Sequence, residues 1–252
     1  MTQPTILITG GTGKFGRRYV EHFKSKGWNV AFTTTSSKRA EGLVKCHQGS
    51  GRCVDVECDL TSEESVERLL DTLLSEGMKV NHLVNNARSL SSLRVGEDGK
   101  TDREDFLNEY LMDVVVPYEL SIALWQRQPG EIKTITNISS QYGVVAANPN
   151  LYDDPARQSP IQYGVAKAAL NQLTRELAVR MAPDGIRVNA IAYGGVEGRT
   201  DESFKARYSG MVPNARMLSE TEIPGPVDFL TSDGSSAITG QVLVVDGGWT
   251  IW

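Results

Sequence analysis

Residues 5–16 read Thr5-Ile6-Leu7-Ile8-Thr9-Gly10-Gly11-Thr12-Gly13-Lys14-Phe15-Gly16, an apolar run that breaks into glycines and then opens a helix-period segment. Glycines at a strand-to-helix turn let the backbone approach a pyrophosphate, whose charge sits on free N–H groups at the helix N-terminus. The blander reading is a tight turn that only packs helix on strand; its position after the first strand favours the phosphate reading. Outward from this stretch, short apolar runs alternate with helix-period segments. Strands are read at Thr5–Thr9, Asn29–Thr34, Cys53–Cys58, His82–Asn85, Lys133–Ile138, Arg187–Ile191 and Gln241–Val245. Helices are read at Phe15–Lys26, Ser62–Leu74 (capped by Thr61 or Ser62), Asp102–Gln126, Gln162–Met181 and Glu220–Leu230. The expectation is an α/β chain: a Rossmann-type, doubly wound, seven-stranded parallel sheet with helices on both faces, in a single domain spanning 1–252.

The 252 residues carry 26 Lys plus Arg against 31 Asp plus Glu, a formal charge of −5, with 40% apolar side chains. That composition excludes a largely disordered chain and offers no basic stripe for nucleic acid and no polybasic membrane patch. Cys46, Cys53 and Cys58 lack CxxC spacing and have only His22, His47 and His82 for company, so no disulfide framework and no metal site is expected. No basic leader precedes an apolar stretch near Met1, and no apolar run approaches the roughly 18 residues of a membrane span, so a cytoplasmic location is expected. Two segments read as functional loops, a polar lid at about 146–160 and a substrate loop at about 194–214.

Tyr163-Gly164-Val165-Ala166-Lys167 places a phenol and an ammonium one turn apart on a helix. A neighbouring cation stabilises a phenolate, which can exchange a proton with a substrate hydroxyl or carbonyl. Taken alone, Tyr163 equally well begins a buried stripe with Ala166, Leu170, Leu173 and Leu177 while Lys167 snorkels outward. Asn137-Ile138-Ser139-Ser140 ends an apolar strand, where open α/β sheets present ligand-facing groups. A phosphate turn, a strand-end serine and a Tyr/Lys helix pair together resemble the short-chain dehydrogenase/reductase family. Asp59-Leu60, Asn85-Asn86-Ala87, Asn189-Ala190-Ile191 and Val244-Val245-Asp246-Gly247-Gly248 fall in the family's order, so the resemblance covers nearly the whole chain.

The resemblance implies that Tyr163 is the catalytic acid/base, Lys167 holds the nicotinamide ribose and favours the phenolate, and Ser140, rather than Ser139, positions the reacting oxygen. Asp113 falls where the family's relay asparagine stands. Cofactor contacts are implied for Gly10, Thr12, Gly13, Lys14, Phe15, Gly16, Thr34, Ser36, Lys38, Asp59, Leu60, Asn86, Ala87, Tyr163, Lys167 and Val196. Substrate contacts are implied for Arg88, Ser140 and Tyr193.

The chain also departs from the family pattern. Lys14 stands where the middle glycine of the turn is usual, Arg88 replaces the glycine after Asn-Asn-Ala, and Asp113 replaces the asparagine. Tyr193 and Gly198 stand in the nicotinamide loop where Pro and Thr are usual, so the usual threonine contact to the carboxamide is either missing or supplied by Thr200. Arg88 is expected to pair with buried Asp113, because a lone buried charge is costly, or else to reach into the cleft and hold an anionic substrate group. No acidic residue ends the second strand; Thr33-Thr34-Thr35-Ser36-Ser37-Lys38-Arg39 offers hydroxyls and cations, which favours NADP over NAD. The lid's Asn148, Asn150, Tyr152, Asp153, Asp154 and Arg157 suggest a polar substrate. The expected activity is hydride transfer between NADP(H) and an alcohol or carbonyl of a polar small molecule. Similarity to a bacterial surface-carbohydrate and flagellin-modification subset suggests a sugar or sugar phosphate. The alternative is a cofactor-binding sensor or partner protein with little turnover. By resemblance, a homodimer or homotetramer forms through the long helices at Asp102–Gln126 and Gln162–Met181.

Overall fold

The computed structural model describes residues 3–45, 49–198 and 200–252; Cys46, His47 and Arg199 lie outside the described residues. Seven strands, β1 (Thr5–Ile8), β2 (Asn29–Thr34), β3 (Cys53–Glu57), β4 (His82–Asn85), β5 (Thr134–Ser140), β6 (Arg187–Tyr193) and β7 (Val242–Val245), form one sheet in the order β3-β2-β1-β4-β5-β6-β7. Every pairing is parallel. Chain order reverses between β1 and β4, and an open parallel sheet places its ligand crevice at the strand C-termini beside that point.

Successive side chains on a strand face opposite ways, so one run of apolar residues feeds two cores. Leu7, Leu83, Ile135 and Val188 pack one way against α3 (Ser65–Ser75), α5 (Val116–Arg127) and α7 (Ile161–Met181) through Leu69, Leu70, Leu73, Leu120, Leu124, Leu177 and Met181. Ile6, Ile8, Val30, Phe32, Val84 and Ile191 pack the other way against α1 (Lys14–Ser25), α2 (Ser37–Lys45) and α9 (Pro224–Thr231) through Tyr19, Phe23, Leu43, Val227 and Leu230. Each fully buried aliphatic side chain contributes roughly 1.5–3 kcal/mol, which is what fixes the strands' register against the helices.

Several elements differ from the expectation. Residues 102–126 are not one helix: α4 (Arg103–Tyr110) and α5 are joined by a π-helical turn at Leu111–Val115. Such π-bulges gather at functional sites. Helix α3 starts at Ser65, not beside Thr61 or Ser62, because the Thr61 amide and hydroxyl are both held by Asp59 Oδ1. The sequence reading assigned no helix to α2. The substrate loop contains α8 (Glu202–Met211), and the lid contains the short α6 (Pro155–Gln158) after a 3-10 turn at Pro149–Leu151. His82 is buried beside Thr134, with Nδ1 2.8 Å from its hydroxyl, and desolvation pushes its pKa down to about 4, helped by Arg187 and Lys133.

Candidate active site

The glycine turn is shaped by close approach. A Cβ at Gly16 would stand 2.1 Å from the Gly10 carbonyl oxygen, and one at Gly11 would stand 2.4 Å from the Phe32 ring. Gly10 has a φ of +67°, a left-handed backbone that favours glycine, with the Ala87 backbone pressed against it. Thr9 ties the turn to β4: its hydroxyl accepts the Asn86 and Ala87 amides at 2.8 and 2.9 Å, and its carbonyl accepts Asn86 Nδ2 at 2.8 Å. Asn86 and Ala87 therefore brace the turn. Gly13 is the N-cap of α1, exposed, with no side-chain cap and no acidic residue in the first turn. The free N–H groups of an uncapped helix start beside open glycine backbone suit a pyrophosphate.

Lys14 and Gly198 explain one another. Lys14 Nζ crosses to donate to the Val196 carbonyl at 3.1 Å and to the Glu197 carbonyl. A Cβ at Gly198 would lie 2.6 Å from that Nζ. Two departures from the family pattern, far apart in sequence, thus form one contact joining the glycine turn to the loop after β6. Phe15 and Tyr193 are also matched, edge to face at 5.2 Å. Tyr193 does not face a substrate: it is 3% exposed, its hydroxyl donates to the Ile223 carbonyl, and burial pushes its pKa up. The aromatic side chain fills the core between α1 and α9. Thr200 meets the Met217 sulfur at 3.8 Å.

At the other end of the crevice, the segment after β5 meets α7 closely because both sides carry glycine. A Cβ at Gly143 would sit 2.8 Å from the Lys167 carbonyl carbon, and one at Gly164 would sit 3.1 Å from the Tyr142 carbonyl oxygen. This contact holds Ser140, at the end of β5, beside the turn of α7 that bears Tyr163 and Lys167. Ser140 Oγ accepts the Tyr142 amide at 3.2 Å, while Ser139 Oγ donates to the Lys167 carbonyl at 3.4 Å and so lies on the structural side. Lys167 is 5% exposed and does not snorkel; its Nζ donates to Asp113 Oδ1 and the Ile138 carbonyl, both at 2.9 Å, 5.8 Å from the Tyr163 ring centroid.

Asp113, on the π turn, is therefore Lys167's partner, and the Arg88–Asp113 pair expected from sequence does not form. A buried ammonium attracts the buried carboxylate more strongly than an exposed guanidinium does. Arg88 instead lies over the Tyr163 ring, 5.0 Å from its centroid. Glu109, which sequence reading missed, is wholly buried one turn before Asp113, and its Oε2 accepts the Ser92 hydroxyl. Burial pushes the Glu109 pKa up and Asp113 adds to this, with Ser92, Arg88 and Lys167 opposing. Among the described residues, Glu109 Oε1 and Asp113 Oδ2 have no hydrogen-bond partner. The signal was available: acids four apart in a helix-period segment share a face.

Aromatic groups form the outer wall. The Tyr142 and Tyr152 hydroxyls meet at 2.6 Å, and burial pushes both pKa values up. Tyr152 packs near Phe204, and Tyr208 stacks on Trp249 at 4.7 Å. The Tyr208 hydroxyl donates to Gln141 Oε1 and accepts the Gly195 amide, and burial pushes its pKa up to about 12. Arg207 donates to the Leu151 carbonyl at 2.8 Å and pairs with Asp153 at 3.1 Å, so lid and α8 are joined. The lid's polar side chains serve its own turns: Asn148 caps the Asn150 amide and Asp154 caps α6. Their polarity therefore says little about the substrate.

Near the expected adenosine end, the Thr34 hydroxyl is engaged by Thr12 at 3.1 Å and by the Ser36 backbone, while Lys38 is exposed. Asp59 is exposed and Leu60 buried. Sequence reading missed Glu57, whose carboxylate accepts the Ser37 amide at 2.9 Å from the neighbouring strand β3. Strand pairing supplies the acid that β2 itself lacks: Glu57 stands opposite Thr34. Among the described residues, no group of His, Cys, Asp or Glu is arranged to hold a metal ion, and no helix is long and apolar enough to cross a membrane.

A parallel sheet with a glycine turn at its topological switch point and a buried lysine beneath an accessible tyrosine defines a Rossmann-type oxidoreductase. The chain belongs to the short-chain dehydrogenase/reductase family: residues 14–250 match the family model described as enoyl-(acyl carrier protein) reductase. It is 31% identical to the probable galactose dehydrogenase GalD of Rhizobium meliloti, over 96% of this chain and 93% of that one. It is 28% identical to post-translational flagellin modification protein A of Campylobacter coli, over 97% of each. A short-chain dehydrogenase from Leptospira borgpetersenii, solved with bound NAD+, superposes with a TM-score of 0.86 at 29% identity, covering 99% of this chain and 94% of that one.

Proposed function

We propose that this enzyme transfers a hydride between NADP(H) and an alcohol or carbonyl of a polar small molecule, a sugar or sugar derivative. The observation that carries the reading is the buried Lys167, clamped by Asp113 and the Ile138 carbonyl next to the half-buried Tyr163 ring. The nicotinamide supplies the hydride chemistry. Tyr163 moves the proton at the substrate oxygen, and the Ser140 hydroxyl holds that oxygen. Lys167 stands beside the phenol ring, and Asp113 prevents the buried ammonium from standing alone. Gly10, Gly11 and Gly13, with Lys14 and Phe15, would hold the pyrophosphate of a bound cofactor, Thr12 and Val196 would flank it, and Asp59 and Leu60 would meet its adenine. Gly16 admits the helix. The lid and α8, joined through Arg207, cover the substrate side.

NADP is favoured by Ser36, Lys38 and Arg39 at the start of α2. Glu57, seated on the Ser37 amide, favours the second reading, NAD(H), because a carboxylate there repels a 2′-phosphate. Titration of the full chain with NADPH and NADH decides: tighter NADPH binding is expected, and tighter NADH binding overturns the choice. Relatives named as a galactose dehydrogenase and a flagellin modification protein support the sugar reading. Exposed Leu107, Tyr110, Tyr118, Val165 and Val179 on α4, α5 and α7 support a homodimer or homotetramer. NADPH oxidation assayed across aldoses, ketoses and their acids tests the activity; no turnover with any, with cofactor bound, would instead mark a cofactor-binding sensor.

A further inference from the structure

Arg88 is exposed at the cleft, with its guanidinium over the Tyr163 ring. Among the described residues it makes no ion pair or hydrogen bond within the chain. The neighbouring charged groups each bond to another residue, although Glu109 Oε1 and Asp113 Oδ2 stay unbonded among the described residues and Glu109 and Arg88 act on one another through charge. Asp113 binds Lys167, Glu109 binds Ser92, Lys14 binds the Val196 and Glu197 carbonyls, and Arg207 binds Leu151 and Asp153. A cation resting on an aromatic face at an exposed site is only weakly held. Arg88 therefore presents a planar set of donors beside the phenol that no described residue accepts as a hydrogen bond.

We infer that Arg88 binds a carboxylate or phosphate carried by the substrate, on the same molecule whose alcohol or carbonyl oxygen meets Tyr163. This rests on Tyr163 being the acid/base. The guanidinium is 5.0 Å from the ring centroid. With hydrogen bonds of about 2.7–2.9 Å at each end, one small molecule spans both groups when its anionic group lies a few bonds from the reacting carbon. A guanidinium receives two oxygens of such an anion at once, which fixes the orientation of the carbon facing the nicotinamide. A neutral counterpart leaves Arg88 solvated and loses that alignment, so the site selects the acid over the neutral sugar. The phosphates of the cofactor have their own ground at the glycine turn and the start of α2, away from the reacting end.

The test uses the full chain with NADP+ and NAD+, and pairs of neutral and anionic compounds: glucose with gluconate, galactose with galactonate, and glucose with glucose 6-phosphate. The carboxylate and phosphate arms distinguish the two sources of the anion. The wild type is expected to favour the anionic members by roughly 10- to 100-fold in kcat/KM, the range of a lost charge-assisted contact. Arg88→Ala should bring the ratio close to one, mainly through KM, with cofactor Kd unchanged; Arg88→Lys should keep part of it. Equal use of both members by the wild type overturns the inference. So does an Arg88→Ala variant that weakens NADPH binding while leaving the ratio intact, since Arg88 then serves the cofactor. If nothing turns over, calorimetric titration of the NADP+-loaded chain with gluconate, glucose 6-phosphate and inorganic phosphate still decides. Heat that disappears in Arg88→Ala supports the anion site, and no such heat refutes it, whereas absent turnover alone counts against the oxidoreductase reading.

Discussion

Replacing Asp113 tests the buried pair that it forms with Lys167. Lys167 and Asp113 are 6% and 1% exposed at their side chains and 2.9 Å apart. Removing one partner of such a pair leaves the other charge buried and unmatched, at a cost of about 3–5 kcal/mol. For a chain of this size each kcal/mol moves Tm by roughly 2–4 °C, so Asp113→Leu should melt roughly 6–20 °C below wild type. The Ile138 carbonyl remains for Lys167, which places the expectation at the lower end. Asp113→Asn keeps an oxygen acceptor and should lose far less. The assay is a thermal melt followed by circular dichroism. An Asp113→Leu protein as stable as wild type, or an Asp113→Asn protein that loses as much as Asp113→Leu, would refute this account of the pair.

Four further outcomes follow from particular contacts. His82 is held neutral with its pKa pushed down to about 4 from an ordinary 6.5, so the unfolded chain takes up its proton first as pH falls. Its contribution is complete above pH 6.5 and is lost between 6.5 and 4, about 3 kcal/mol in all, so urea melts of His82→Gln should show a shallower fall across that window. Gly198→Thr should weaken NADPH binding by pressing on Lys14, and Lys14→Gly in the same chain should recover most of the loss; additive effects in this double-mutant cycle would show the two positions to be independent. Gly16→Val, whose Cβ meets the Gly10 carbonyl, should abolish cofactor binding while secondary structure measured by circular dichroism is retained. Glu57→Gln should raise the preference for NADPH over NADH, read from the two Kd values.

The fold was legible because its signals are local. Alternating strand and helix periods, the glycine turn at Gly10–Gly16 and the apolar run of β1 are each decided within a dozen residues, and all seven strands appear in place. The places of Ser140, Tyr163 and Lys167 at a strand end and one helical turn apart were legible for the same reason, while the roles proposed for them and the choice of Ser140 over Ser139 came from the family resemblance. What escaped depends on packing between distant segments. No local feature says that Asp113 would choose Lys167 over Arg88, because the choice is made by burial at the meeting of α7 with the π turn. The π turn itself hides inside a helix-period run. Tyr193 read as a substrate contact because its loop is functional in the family, yet strand alternation turns its ring into the core against Phe15. Glu57 was overlooked because the acid was sought on β2 and parallel pairing delivers it from β3.

Everything proposed for this site turns on the Tyr163 hydroxyl moving the proton that accompanies hydride transfer. Single-turnover oxidation of bound NADPH by a saturating carbonyl substrate, in wild type beside Tyr163→Phe, measures this with binding and product release set aside. The account predicts a fall of roughly 10²–10⁴-fold in the rate with an unchanged NADPH Kd. A Tyr163→Phe enzyme that oxidises NADPH at the wild-type rate would contradict it.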